Sequence, residues 1–258
     1  MKTKLTLIFT LLIVVLSACT QEPKYGTVVQ TPEALLKDVM SFWNYKTQHI
    51  RLYEAFTPLD SSLQIIPEAT FMQRLGTGDY LPVKRLNKEN KVFYQLHRLG
   101  GSVDQGTRSI LANWAREEYA NYKLQGTKLP SFAFTDLDGN VYTNENTAGK
   151  TLVLKCWFIR CTACVAEMPE LNKLKQKYKN RNDILFVSLA TDKAPELEKF
   201  LQKRQFDYAV APEQRTFMVQ GLQVGSYPTH FVIDKAGEIR IKTTDYKAMA
   251  YVLAESAD

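Results

Sequence analysis

The chain has 258 residues, 45% apolar and 23% charged, an ordinary globular balance that excludes disorder and collagen-like repeats. Lys and Arg number 33 against 27 Asp and Glu; the resulting +6 is spread along the chain, without the concentrated basic face expected of a nucleic-acid binder. Four cysteines are too few for a disulfide scaffold, so each needs its own explanation.

The first segment reads as a leader spanning residues 1–18. Lys2 and Lys4 precede an apolar run from Leu5, and the small residues Ser17 and Ala18 follow. From Leu5 to Ala18 there are 14 residues, short of the roughly 20 a bilayer-crossing helix needs. Leu16-Ser17-Ala18-Cys19 resembles the bacterial lipobox, which implies lipid attachment at Cys19 after cleavage. Thr20 stands where an aspartate often retains lipoproteins at the inner membrane, so an outer-membrane location facing the periplasm is expected.

Residues 19–127 form the next unit, a polar tether followed by a small α+β or helical domain. Apolar residues from Leu35 to Leu52 recur mostly at three- and four-residue steps, predicting a helix over 32–56 with Thr31 as N-cap and Pro32 at the first position. Thr57-Pro58, Asp60-Ser61-Ser62 and Ile65-Ile66-Pro67 break that pattern. Residues 80–83 and 91–96 read as strands and 109–122 as helix. The aromatics here are core residues, and His49 and His97 stand isolated; no chemical constellation is present.

At Gln125–Pro130 the rhythm changes, and residues 128–258 alternate short strands with amphipathic helices. This is the pattern of an α/β fold with a largely parallel sheet. Strands are expected at 131–135, 151–158, 183–190, 206–211, 230–234 and 238–242, and helices at 165–178, 194–204, 213–219 and 246–255. Asp138-Gly139 suggests a two-residue hairpin turn, and Lys235-Ala236-Gly237 a turn joining the last two strands.

Chemistry concentrates at Cys161-Thr162-Ala163-Cys164, between a buried strand and a helix start. Two cysteines at this spacing can form a small disulfide ring. The first would lie near unsatisfied N–H groups that favour its thiolate, the attacking species in disulfide exchange, and Arg160 would push the same way. Zinc sites use the same spacing, but no second pair exists and Cys156 lies inside the strand.

Ser226-Tyr227-Pro228-Thr229 supplies a second mark. Leu129-Pro130-Ser131-Phe132, the stretch 152–164, Glu167-Met168-Pro169-Glu170-Leu171 and Phe231-Val232-Ile233-Asp234 accompany it in order. Together they resemble the TlpA/ResA group of thioredoxin-like thiol–disulfide oxidoreductases, from Leu129 to the C-terminus. The resemblance implies a central mixed sheet flanked by helices, a redox-active Cys161–Cys164 pair, and a cis Pro228 lying against the dithiol. It also implies protein disulfides as substrates, an upstream membrane dithiol donor, and no bound cofactor. Cys161 would attack and Cys164 resolve. Pro169 fits the helix kink of such domains.

The departures are specific. Arg160 stands where the family often has Trp, and Thr162-Ala163 where it often has Gly-Pro. Cys156 replaces a common Phe and reads as a small core hydrophobe rather than a resolving thiol. Lys155 occupies the place of the buried Asp of cytosolic thioredoxins. A lysine in a central strand either reaches a carboxylate or handles protons for Cys164. Two other functions compete with a protein disulfide reductase. A peroxiredoxin-like peroxidase needs Pro-x-x-x-Thr-x-x-Cys, and Leu154 and Phe158 occupy those positions. A lipoprotein binding module would hold a purely structural disulfide.

The lipobox reading makes a direct prediction. Cys19→Ser should move the protein from the membrane to the soluble periplasmic fraction on fractionation; a processed variant that still pellets with membranes contradicts it.

Overall fold

The structure is a computed structural model that describes residues 23–257; the leader expected over residues 1–18 and the lipid site expected at Cys19 lie outside the described residues. A two-residue strand β1 (Thr27–Val28) leads to α1 (Pro32–Leu35), where Thr31 Oγ1 accepts the Ala34 N–H at 3.4 Å. The single helix expected over 32–56 is interrupted. Asp38 caps a fresh helix, α2 (Val39–His49), by accepting the Ser41 N–H at 2.7 Å. Beyond Ile50 the Arg51 N–H donates to the Tyr94 hydroxyl at 2.8 Å, so the chain leaves the helix for a tertiary partner.

Thr57-Pro58, expected only as a break, lies in β2 (Thr57–Leu59), an edge strand where a proline lacking an N–H is tolerated. Then come α3 (Glu68–Leu75), unforeseen from the sequence, β3 (Tyr80–Leu86), β4 (Val92–Arg98) and α4 (Gln105–Tyr122). The sheet order is β1-β3-β4-β2. Its core gathers Phe42, Tyr45, Phe71, Leu81, Tyr94, Leu111 and Trp114, as expected of the aromatics in this region.

The second half opens with the hairpin β5 (Ala133–Thr135) and β6 (Val141–Thr143). Its turn is longer than two residues, because Asp136 Oδ1 accepts the N–H groups of both Asp138 and Asn140. The remaining elements are β7 (Thr151–Trp157), α5 (Thr162–Ala166), α6 (Met168–Lys177), β8 (Ile184–Ala190), α7 (Ala194–Leu201), β9 (Ala209–Ala211), a π-helical turn (Phe217–Gly221), β10 (Thr229–Ile233), β11 (Ile239–Thr243) and α8 (Tyr246–Ala257). The sheet runs β11-β10-β7-β8-β9. Strand β7 is parallel to β8, and β8 to β9, but β10 runs antiparallel to both β7 and β11. The sheet is therefore mixed rather than largely parallel, in keeping with the expected thioredoxin-like architecture.

All seven residues of β7 are buried. Leu152, Leu154 and Cys156 face the core built on Phe134, Leu189 and Phe231, whereas Val153 and Trp157 face the core of α6 and α8 with Leu171, Met249 and Leu253. Alternation along the strand puts Lys155 on the second face. The two halves join where Gly126 N–H donates to Ile239 O at 2.9 Å and Leu129 N–H to Gly237 O at 2.9 Å, beside β11.

Candidate active site

The chain leaves β7 at Trp157 and turns through residues 158–160 to the cysteines. Ile159 N–H donates to Asp192 Oδ2 at 2.9 Å and Cys161 N–H to Phe158 O at 3.1 Å, which fixes the turn. Cys161 is the N-cap of α5, and its sulfur accepts the Cys164 N–H at 3.2 Å. The two cysteines form a disulfide with a Cα–Cα separation of 5.2 Å. Cys161 is 8% exposed and Cys164 fully buried, so only the first can be approached from outside. Because α5 spans just 5 residues, the direct N–H donation to sulfur counts for more than a helix macrodipole.

Register brings the second motif to the same end of the sheet. Thr229 pairs with Cys156, which puts Pro228 beside the exit of β7, and the Tyr227–Pro228 peptide is cis. The rings of Phe158 and Tyr227 meet edge to face at 5.3 Å, and Thr229 Oγ1 donates to Ser226 O at 2.6 Å. The aromatic pair therefore joins the segment before the cysteines to the proline loop.

Beneath the disulfide lies a buried charged cluster. Pro169 lacks the N–H a continuous helix would use, and the chain bends at Glu167 between α5 and α6. From this elbow the Glu167 carboxylate pairs with the Lys155 ammonium, which also donates to Cys164 O at 3.1 Å. His230 stands opposite Lys155 in the β10–β7 register, with Nε2 3.1 Å from Glu167 Oε1 but off the line of a hydrogen bond. Ser188 occupies the matching position on β8, so His230, Lys155 and Ser188 form one polar row across three strands.

Burial shifts these groups in understandable directions. It lowers the Lys155 pKa, an effect the Glu167 charge opposes only in part. For Glu167 burial acts upward, but the contacts with His230 and Lys155 outweigh it and hold the carboxyl below its ordinary range. His230 is lowered, chiefly by burial. The Cys156 thiol is pushed far up by burial, as suits a core residue rather than a reactive one.

Of the residues singled out in the sequence, Cys161, Cys164, Pro228 and Lys155 thus come together, and Cys156 packs on the other face of β7. The carboxylate option for Lys155 is realised through Glu167. In the sequence Glu167 stands out only as part of a motif and His230 only as the first residue of an expected strand. The available signals were an acid two residues before a helix-breaking proline, and a histidine next to Thr229 at the start of a strand. Among the described residues no three His, Cys, Asp or Glu side chains converge as metal ligands, and no helix is long and apolar enough to cross a membrane.

The Redoxin family profile matches residues 124–249. Over 118 residues the chain is 31% identical to the thiol-disulfide oxidoreductase ResA of Bacillus cereus, spanning 45% of this chain and 68% of that protein. The chain belongs to the ResA family of thioredoxin-like thiol–disulfide oxidoreductases. The ResA of Geobacillus kaustophilus is 32% identical over 116 residues, 45% of this chain and 66% of its own length. Among solved structures, the thioredoxin domain of a thiol-disulfide oxidoreductase from Bacteroides vulgatus has a TM-score of 0.47 at 18% identity, covering 52% of this chain and 98% of that one. As a ResA relative, the protein is a thiol–disulfide oxidoreductase acting through a cysteine pair.

The geometry orders the thiols. In the reduced, folded protein, alkylation at neutral pH should modify Cys161 first, Cys164 slowly and Cys156 only on unfolding. Equal labelling of the three by mass spectrometry would contradict the arrangement.

Proposed function

We propose that the protein is a lipid-anchored reductase of protein disulfides at the periplasmic face of a bacterial membrane, the outer membrane being favoured. In this reading residues 1–18 are a cleaved leader, Cys19 carries the lipid, residues 19–127 form a tether and N-terminal domain, and residues 128–258 are the catalytic domain. The Cys161 thiolate attacks a substrate disulfide and forms a mixed disulfide. Cys164 then attacks Cys161 Sγ, expels the substrate thiolate and leaves the Cys161–Cys164 disulfide. A dithiol partner at the membrane returns the pair to its reduced form, because an oxidising compartment offers no bulk reductant.

The observation that carries this reading is the asymmetry of the pair: one cysteine is reachable at the end of β7 beside Pro228, the other is sealed above Lys155. That is the order a two-step exchange needs, with an accessible attacker and a protected resolver. Pro228 would present the neighbouring Tyr227 backbone to an extended substrate segment. Lys155 would steady the charge that develops when Cys164 loses its proton.

Trapping tests the proposal. Cys164→Ser expressed in cells should accumulate reductant-releasable mixed disulfides on Cys161, absent from the Cys161→Ser/Cys164→Ser variant. Equal capture by both, or none by either, would contradict the assigned roles.

A further inference from the structure

His230 is fully buried; Nε2 lies 3.1 Å from Glu167 Oε1 without the alignment of a hydrogen bond, and Nδ1 has no hydrogen-bond partner. Buried polar groups in native proteins are almost always satisfied, and an exception calls for a reason. The Ser188 hydroxyl, in the same row, and the Tyr208 hydroxyl are also unpartnered, so the core beneath the cysteines contains several polar atoms with bonding capacity to spare. Of these groups only His230 is a nitrogen base with a lone pair able to take up a proton.

The charges facing it come from three elements: Lys155 on β7, Glu167 at the elbow between α5 and α6, and Asp245 in the turn before α8. Its other strand neighbour, Thr243 on β11, is uncharged. Lys155 and His230 approach the same oxygen, Glu167 Oε1. One carboxylate oxygen cannot compensate two buried cations, and the ammonium holds it in the disulfide form. His230 is then neutral, consistent with the lowering of its pKa by burial.

Resolution changes that balance. Cys164 must become a thiolate in a site that is closed to water and already holds the Glu167 charge. A second buried anion is costly unless a positive charge appears with it. We propose that His230 is a positioning residue for the resolving step: acting through Glu167, it receives into the buried cluster the proton that Cys164 gives up. The proposal rests on the dithiol reading above. In the step, a bond forms between Cys164 Sγ and Cys161 Sγ and the bond from Cys161 to the substrate sulfur breaks. The electron pair leaves on that substrate sulfur, which takes a proton from solvent. The Cys164 proton ends on the imidazole and returns to solvent before the next turnover. The cluster stays neutral while the Cys164 thiolate exists and carries one extra positive charge from disulfide formation until the imidazole proton leaves, and that excess drives the release.

The test follows both halves of the exchange with a chromogenic aromatic disulfide in stopped flow. Attack by Cys161 releases one coloured thiolate, and resolution by Cys164 releases the second. In the wild type the second rate should be flat within about threefold from pH 7 to pH 8, because an internal base accepts the proton. In His230→Asn it should fall at least about tenfold at pH 7 and then rise about tenfold per pH unit, since thiolate fraction alone sets the rate. A His230→Asn profile parallel to the wild type overturns the proposal, even if displaced by a constant factor. Absence of any first release from the wild type overturns the dithiol reading, and this proposal with it. If His230→Asn does not fold, the imidazole of the wild-type protein is titrated by NMR, with its resonance assigned against His49→Gln and His97→Gln. His230 should protonate at different pH in the oxidised and reduced protein, and identical titrations overturn the proposal.

Discussion

An ammonium group in the middle of a fully covered strand constrains much of the catalytic half of this protein. Lys155 has no exposure, and both faces of β7 are packed. A charge so placed must find a counter-charge and further hydrogen bonds, or lose its proton. The chain supplies both from one short segment: the Cys164 carbonyl and the Glu167 carboxylate are three residues apart across the end of α5. The residue that tethers the lysine thus belongs to the same turn of helix as the buried cysteine. In the proposed reading, a change in the charge of the sulfur would be felt by the cluster, and a change in the cluster by the sulfur.

The N-terminal layer borders this site through the proline loop. Ser226 Oγ, in the loop leading to Pro228, donates to Glu117 on α4 at 3.0 Å, and the rings of Tyr53 and Tyr251 meet at 5.6 Å. A cavity of about 410 Å³ lies between the halves, lined by Trp43, Trp114 and Glu118 on one side and Thr243, Asp245 and Tyr246 on the other. Burial raises the Glu118 pKa, opposed by Lys46 and by the hydrogen bond from Trp114 Nε1 at 2.8 Å. The contact between the halves thus mixes aromatic packing with buried polar groups. It flanks the proline loop through the Ser226–Glu117 hydrogen bond.

Much of this was legible in the sequence, and the limits have physical causes. The strand-to-helix passage at 151–164 could be read because apolar run, motif and helical periodicity agree. Lys155 could be singled out because its charge violates the pattern of a covered strand. Its partner could not be chosen, since several acids lie within chain reach and only the bend at Glu167 selects one. His230 was illegible because its role depends on register: a slip of one residue between β10 and β7 would turn it to the opposite face. In the N-terminal half, the first helix stops at Leu35 and Asp38 begins another through a capping bond, while the apolar periodicity runs on across that break. α3 went unread although Phe71, Met72 and Leu75 bury one helical face.

The most direct test is to remove both charges of the pair at once with Lys155→Met/Glu167→Gln, so that neither is left unpaired in the core. The equilibrium of the Cys161–Cys164 disulfide with glutathione buffers is then measured across the pH range. If the buried pair governs the sulfur chemistry, the double variant folds and its equilibrium constant moves by about tenfold or more, with an altered pH dependence, a tenfold change corresponding to one unit of pKa. A folded double variant with the wild-type equilibrium at every pH would contradict that coupling.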